Sequence, residues 1–191
     1  MNYLVFDIET KNAFRDIAQP DPVLLDLSLV GIYDSSDDSY DSYLEGDLGR
    51  LWPRIEAADA IVGYNSDHFD IPILNKYYHG DLHAVKSIDL MASIVDSLER
   101  RVRLDAVAEA TLGKKKSGNG LDAITWWKQG EIDKIRRYCL DDVKITKELY
   151  DYALAHQALK CAVDGRVVDI PIDTGAWQNK QSHALTYSLP F

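Results

Sequence analysis

Residues 3–10 read Tyr3-Leu4-Val5-Phe6-Asp7-Ile8-Glu9-Thr10. The run 3–7 has the aromatic and aliphatic content of a buried strand. Alternate residues of a strand face the same way, so Asp7 and Glu9 share one face while Phe6 and Ile8 share the other. Two carboxylates side by side in an apolar setting repel each other and need a cation or a shared proton. Read alone, an Asp-x-Glu triplet is equally a solvated strand end. The decision lies in the rest of the chain.

Outward from this strand, 26–33 is a second one, with Val30 and Ile32 flanking Gly31, and Ser39–Leu44 is a weaker third across a Ser/Asp turn. Leu48, Leu51, Trp52 and Ile55 give helical spacing to 48–58, with Pro53 in its first turns or kinking it. A short strand at 60–62 leads into a loop, and Pro72 suits the first turn of a helix reaching about residue 78. A short strand over 87–90 precedes a helix through 97, and Leu104–Leu112 is a helix that Gly113 ends. Asn119-Gly120 is a turn, 131–156 is one long helix, and 165–172 is the turn and second arm of a hairpin before a polar tail. Strands first and helices later around one core give an α/β fold with a mixed sheet. The core spans 1–160, with 161–191 as a C-terminal extension packed on it.

Two further segments carry carboxylates into apolar settings. In Gly63-Tyr64-Asn65-Ser66-Asp67-His68-Phe69-Asp70-Ile71-Pro72 a polar loop leads from a strand into a helix. Asp70 there is either the helix cap or a ligand, and Asn65 a turn residue or a contact. On the long helix, Ile135, Tyr138, Asp142, Ile145 and Leu149 recur at spacings of three and four, which puts them on one stripe. Asp142 is its one charged member. A carboxylate facing a core needs partners, and a metal shared with other carboxylates is an economical one. A rotated helix, with Cys139, Val143 and Tyr150 inward, would instead leave Asp142 in water beside Asp141.

Together the three segments are far more specific than any one of them. Asp-x-Glu on strand one, Asn-x-x-x-Phe-Asp before a helix and Tyr-x-x-x-Asp on a late helix occur in that order. The chain resembles the DEDD superfamily of 3′–5′ exonucleases, in its tyrosine-bearing branch, and is similar to the proofreading domain of family B DNA polymerases over residues 2–155. Leu104-Asp105-Ala106-Val107-Ala108 with Leu112-Gly113 and Lys116, and Tyr138-Cys139-Leu140-Asp141-Asp142, fit the same pattern. The resemblance implies a ribonuclease-H-like fold, a central mixed β-sheet flanked by helices, here with a C-terminal hairpin and tail. It implies that Asp7, Glu9, Asp70 and Asp142 hold two divalent cations, Mg²⁺ or Mn²⁺, and that Tyr138 orients the attacking water. The histidine branch places His five residues before the final Asp, where this chain has Arg137. The resemblance also implies substrate contacts for Thr10, Asn65 and Phe69, with Phe69 equally readable as core. No polymerase domain accompanies these motifs, so the expectation is a free-standing enzyme releasing nucleoside 5′-monophosphates. The alternatives are a catalytically weak nucleic-acid-binding module and a structure-specific endonuclease of the same fold.

Composition is compatible with this. The 191 residues are 46 % hydrophobic and 27 % charged, enough apolar content for a real core. No apolar run nears the ~20 residues of a membrane span, and the start lacks the basic and apolar regions of a signal peptide. Two cysteines, Cys139 and Cys161, make neither a disulfide framework nor a four-thiolate zinc site. These features suggest a reduced, cytoplasmic chain with incidental thiols. The net charge of −10 is a poor total for a nucleic-acid binder. Six acids, Asp34, Asp37, Asp38, Asp41, Glu45 and Asp47, fall in one stretch without a base, and the rest of the chain carries −4. Four cation-binding carboxylates bring that remainder to about neutral. Basic residues cluster at Arg100, Arg101 and Arg103, at Lys114, Lys115 and Lys116, and at Arg136 and Arg137. The three lysines are candidates to grip the backbone of single-stranded nucleic acid, DNA ahead of RNA, with solvated helix ends as the plain alternative. His68 reads as a surface loop residue and Trp126 and Trp127 as packing. The C-terminal tail offers a place for a protein partner.

Overall fold

The computed structural model describes residues 1–114, 120–163 and 165–179. Its central sheet has the order β3-β2-β1-β4-β5. Strands β1 (Tyr3–Thr10), β2 (Leu27–Asp34) and β3 (Ser39–Leu44) form an antiparallel meander, while β4 (Ala60–Gly63) and β5 (Ser87–Asp89) run parallel to β1. The sheet is mixed, as expected.

Side-chain alternation along β1 decides the layers. Leu4, Phe6 and Ile8 enter a core shared with α1 (Trp52–Ala57) and α2 (Asp70–Asn75). Val5 points to the other face, under α3 (Leu90–Leu98), α4 (Leu104–Leu112) and α6 (Ile132–His156). Asp7 and Glu9 share the α6 face with Val5. Gly31 on β2 pairs with Asp7, and a Cβ there would stand 2.8 Å from Cys139 Sγ and 3.2 Å from Val143 Cγ2. The missing side chain is what lets α6 cross the sheet beside Asp7.

Both candidate stripes of α6 are buried. Ile135, Tyr138, Asp142, Ile145 and Leu149 lie inward together with Cys139, Val143 and Tyr150, and Asp141 alone faces solvent at the 141/142 pair. Packed against the sheet, α5 (Gly120–Gln129) and β6 (Ala158–Val163), the helix buries an arc wide enough to hold both stripes, so no rotation had to be chosen.

The structure departs from the sequence reading in four places. The helix expected over 48–58 is split into a 3₁₀ segment at Glu45–Arg50 and α1, because Pro53 has no N–H to bond back into a continuous helix. Helix α2 stops at Asn75 and unwinds through tighter turns at Lys76 and Tyr77. The stretch assigned only a turn at Asn119-Gly120 contains α5, which begins at Gly120; Asn119 lies outside the described residues. The tail is not simply polar. After β6 and β7 (Arg166–Pro171), Trp177 is buried and stacks on Tyr150 at 5.4 Å, and Lys86 Nζ donates to the carbonyls of Ala176, Trp177 and Asn179. Residues 180–191, on which the tail's expected partner would act, lie outside the described residues.

Candidate functional site

Strand β1 pairs with β4 only as far as Val5. Beyond that point its β4-side edge is open, and the Ile8 N–H is met at 3.1 Å by Asp70 Oδ1. Asp70 therefore does not cap α2; it is the first residue of that helix and its carboxylate reaches across to β1. Asp7 and Glu9 stand on the neighbouring positions of β1, and Tyr138 and Asp142 come down from α6 one turn apart. Glu9, Asp70 and Asp142 are 7 %, 5 % and 3 % exposed. Burial, then the charges of Asp89 and Asp142, push the Asp70 carboxyl up to about 7 against the opposing pull of the Ile8 N–H.

A cleft of about 330 Å³ opens over this cluster. Its floor is Asp7, Glu9, Tyr138 and Asp142, with Thr10 beside them, and its rim is apolar: Phe14, Phe69, Leu121 and Ile124. Phe14 and Phe69 meet edge-on at 6.0 Å, and Phe14 is 42 % exposed. Among the described residues no lysine or arginine lines the cleft. Asp7, Glu9 and Asp142 offer the cleft hard oxygen donors of the kind divalent cations take, and the Cys139 thiol lies within 4.8 Å of the Asp7 and Glu9 carboxylates.

Cys139 is not incidental. Its Sγ lies 3.3 Å from the Asp7 carbonyl and 3.5 Å from Asp7 Oδ2, and burial followed by the charges of Asp7, Glu9 and Asp142 pushes the thiol well up. It remains a neutral S–H that donates toward Asp7.

The other sequence candidates sit elsewhere. Asn65 lies one loop away from the cleft lining, with φ +65°, its N–H on Asp89 Oδ1 at 2.8 Å and its side-chain carbonyl on Arg101 Nη2. Lys114 pairs with Glu148 on α6 at 2.5 Å and is not brought to the cleft, while Lys115 and Lys116 lie outside the described residues. His68 is exposed, and Trp126 packs edge-on against Tyr138 at 5.9 Å, as packing requires.

Three residues escaped the sequence reading. Phe14 is an isolated aromatic in a polar loop, which was its only signal. Leu121 belongs to the missed helix. Asp89 stands before α3 as an ordinary cap and does accept Met91 N–H at 2.8 Å and Ala92 N–H at 3.3 Å. The same buried carboxylate also accepts the N–H groups of Asn65 and Asp67, at 2.8 and 3.1 Å, and so pins the loop that carries Asn65, Phe69 and Asp70. Gly63 begins that loop, and a Cβ there would fall 2.4 Å from Ser66 Cβ.

Among solved structures, the family B DNA polymerase of Pyrobaculum calidifontis is similar with a TM-score of 0.60 and 22 % identity, over 81 % of this chain and 24 % of the polymerase. The zinc-ion-bound form of the E. coli ExoI–ssDNA complex is similar with a TM-score of 0.54 and 14 % identity, over 82 % of this chain and 41 % of that one. The chain thus spans less than half the length of either, and the likeness is one of fold. No curated protein sequence matches it significantly. No helix among the described residues is long and apolar enough to cross a membrane. The family model of the RNase_H superfamily matches residues 4–154, and the chain belongs to that superfamily, with its nuclease fold.

Proposed function

We propose that this chain is a metal-dependent 3′–5′ exonuclease acting on single-stranded or frayed nucleic-acid ends. The observation that carries the reading is the meeting of Asp7 and Glu9 from β1 with Tyr138 and Asp142 from α6 in the lining of one cleft, with Asp70 of α2 bonded to the intervening Ile8 N–H. Asp7, Glu9, Asp70 and Asp142 would hold two divalent cations, Mg²⁺ or Mn²⁺. Such a pair, when bound, supplies an activated water on one side of a phosphodiester and charge stabilisation for the leaving oxygen on the other.

The chain's own residues do the rest. Tyr138, one turn before Asp142, orients the attacking water through its hydroxyl. The Asp70–Ile8 bond fixes the inner carboxylate against β1, and Cys139 steadies Asp7 from below. Phe14 and Phe69, with Leu121, offer an apolar rim on which a terminal base stacks, a contact often worth ~1–3 kcal/mol. A paired end must first unstack at a cost of a few kcal/mol, so unpaired ends are favoured. Water's oxygen bonds to phosphorus, the bond from phosphorus to the 3′ oxygen of the shortened strand breaks, and that oxygen takes a proton. The phosphate leaves on the released unit as a nucleoside 5′-monophosphate.

The test is digestion of a 5′-labelled single strand with Mg²⁺ or Mn²⁺ and with chelator. A ladder shortening from the 3′ end, with 5′-monophosphates and a block at a 3′ phosphorothioate, is the expected result. Release of 3′-monophosphates or cleavage of a circular single strand overturns it. DNA and RNA strands of equal sequence decide the substrate class, with DNA expected ahead.

A further inference from the structure

The loop joining α3 to α4 carries Arg100, Arg101 and Arg103, all exposed. Its chain reverses at Glu99, whose φ is +55°, and then docks on the β4–α2 loop. Tyr64 Oη donates to the Val102 carbonyl at 2.6 Å, and Arg101 holds the side-chain carbonyl of Asn65. Among the described residues, Arg103 pairs with Asp105 alone, on the surface where its side chain is 83 % exposed, and Arg100 has no acidic partner. With its carbonyl taken by Arg101, Asn65 keeps its amide N–H donors, on the loop against which the arginine-bearing loop docks.

The position matters as much as the charge. Strands β1, β4 and β5 are parallel, so Glu9, Asn65 and Asp89 stand at the same, carboxyl-terminal end of the sheet. The acidic turn between β2 and β3 is at the opposite end, because Asp34 pairs with Leu4 near the start of β1. An anionic strand leaving the cleft meets fixed positive charge toward β4 and β5 and carboxylates toward the β2–β3 turn.

Resting on the exonuclease reading, the geometry points to a backbone track. The single strand upstream of the scissile bond crosses the Asn65 loop, and its phosphates bind Arg100, Arg101 and Arg103. The track begins one or more nucleotides from the 3′ end, so it serves long strands and not the shortest ones.

The experiment separates this from the exonuclease reading. Binding of a single-stranded 12-mer is measured against salt on the Asp142→Asn protein, with and without Arg100→Ala/Arg103→Ala, which leaves the Arg101–Asn65 contact in place. Each lost phosphate contact lowers the slope of log affinity against log salt by ~0.7, so a fall of about 1.4 is expected. In the active protein the same pair raises KM for the 12-mer about tenfold and leaves dinucleotide turnover within about twofold. Removing exposed charges elsewhere, Lys128→Ala, Lys144→Ala and Arg166→Ala together, leaves the slope unchanged. An unaltered slope, or a dinucleotide loss as large as the 12-mer loss, overturns the track. If the wild type releases no nucleotide at all, the exonuclease reading fails while the binding slopes still judge the arginines.

Discussion

Two groups of carboxylates in this chain meet opposite fates. In the β2–β3 hairpin, Asp34, Asp37 and Asp41 surround Arg54 from α1, whose guanidinium lies 2.8, 3.4 and 3.6 Å from them and also reaches Tyr43 Oη and Ser39 Oγ. Asp34 is held below its usual range: burial opposes this, but the Ser36 hydroxyl and N–H and the Arg54 guanidinium outweigh it. At the cleft, Asp7, Glu9 and Asp142 line a floor that no lysine or arginine among the described residues lines, and Asp70, bonded to the intervening Ile8 N–H, is pushed up to about 7. The first group carries its counter-charge in the sequence. The second is gathered from distant segments into a buried setting, where burial and neighbouring like charges raise a carboxyl instead of lowering it.

The strongest way to break this contrast is to remove cleft charge. Asp142→Asn should lower turnover by at least ~3 decades, a transition-state loss of about 4 kcal/mol. The metal-free protein should keep its melting temperature or gain, because one of several repelling carboxylates is gone. Near-normal turnover would remove Asp142 from the site. Tyr138→Phe should follow with a loss of one to three decades in kcat, about 1.4–4 kcal/mol. KM should stay near its parent value because the ring remains; a normal kcat with a raised KM would make Tyr138 a substrate contact.

The cleft was legible in the sequence to the extent that its residues obey local periods. Asp7 and Glu9 declare their common face by the two-residue period of β1, and Tyr138 and Asp142 by the four-residue spacing of α6. What local period cannot show is an encounter between distant segments. Asp70 read as either a helix cap or a ligand, because a cap is the local structure that fits it, whereas the partner it takes, Ile8 N–H, is 62 residues away. The acidic stretch looked unpaired because Arg54 comes from the next helix, 20 residues beyond Asp34. Asp89 escaped notice altogether, because its bonds to Asn65 and Asp67 exist only once β4 and β5 lie side by side. Helix α5 was missed behind its opening glycine, and with it the Leu121 part of the rim.

The two groups should also respond to pH with opposite signs. Metal-free folded protein holds a proton on Asp70 to about pH 7, while the unfolded chain releases it near 3.8. That contribution to stability is complete below about pH 4 and is lost as pH rises toward 7. Asp89, raised by its own burial, adds in the same direction. Asp34 is lowered, so its contribution is present above the ordinary carboxylate range and disappears as pH falls through its folded value. Denaturant unfolding in chelator between pH 4 and 8 should therefore show a decline of a few kcal/mol that Asp70→Asn reduces. Added Mg²⁺ or Mn²⁺ should offset it by mass action. A stability that climbs steadily over that interval would contradict the cluster's electrostatics.

The smallest expected effect tests the other group. Arg54 is only 22 % exposed at its side chain, and it joins α1 to the hairpin through three carboxylates and two hydroxyls. Arg54→Ala leaves Asp34, itself 11 % exposed at its side chain, without its strongest cationic partner, although Ser36 still donates to it twice. Hydrogen bonds to charged groups contribute about 1.5–3 kcal/mol each, and solvent around Asp37 and Asp41 screens the remainder, so a net loss of about 2 kcal/mol is expected. For a chain of this size that corresponds to a fall of roughly 4–8 °C in melting temperature. The hairpin lies at the far end of the sheet from the cleft, so kcat and the metal-induced rise in melting temperature should be unchanged below the new transition. Thermal scans with and without Mg²⁺, beside kcat at 25 °C, read both quantities on one preparation. A variant that melts normally would show that the hairpin carboxylates need no organic counter-charge; one that loses its metal response would show that the two acidic regions are not independent.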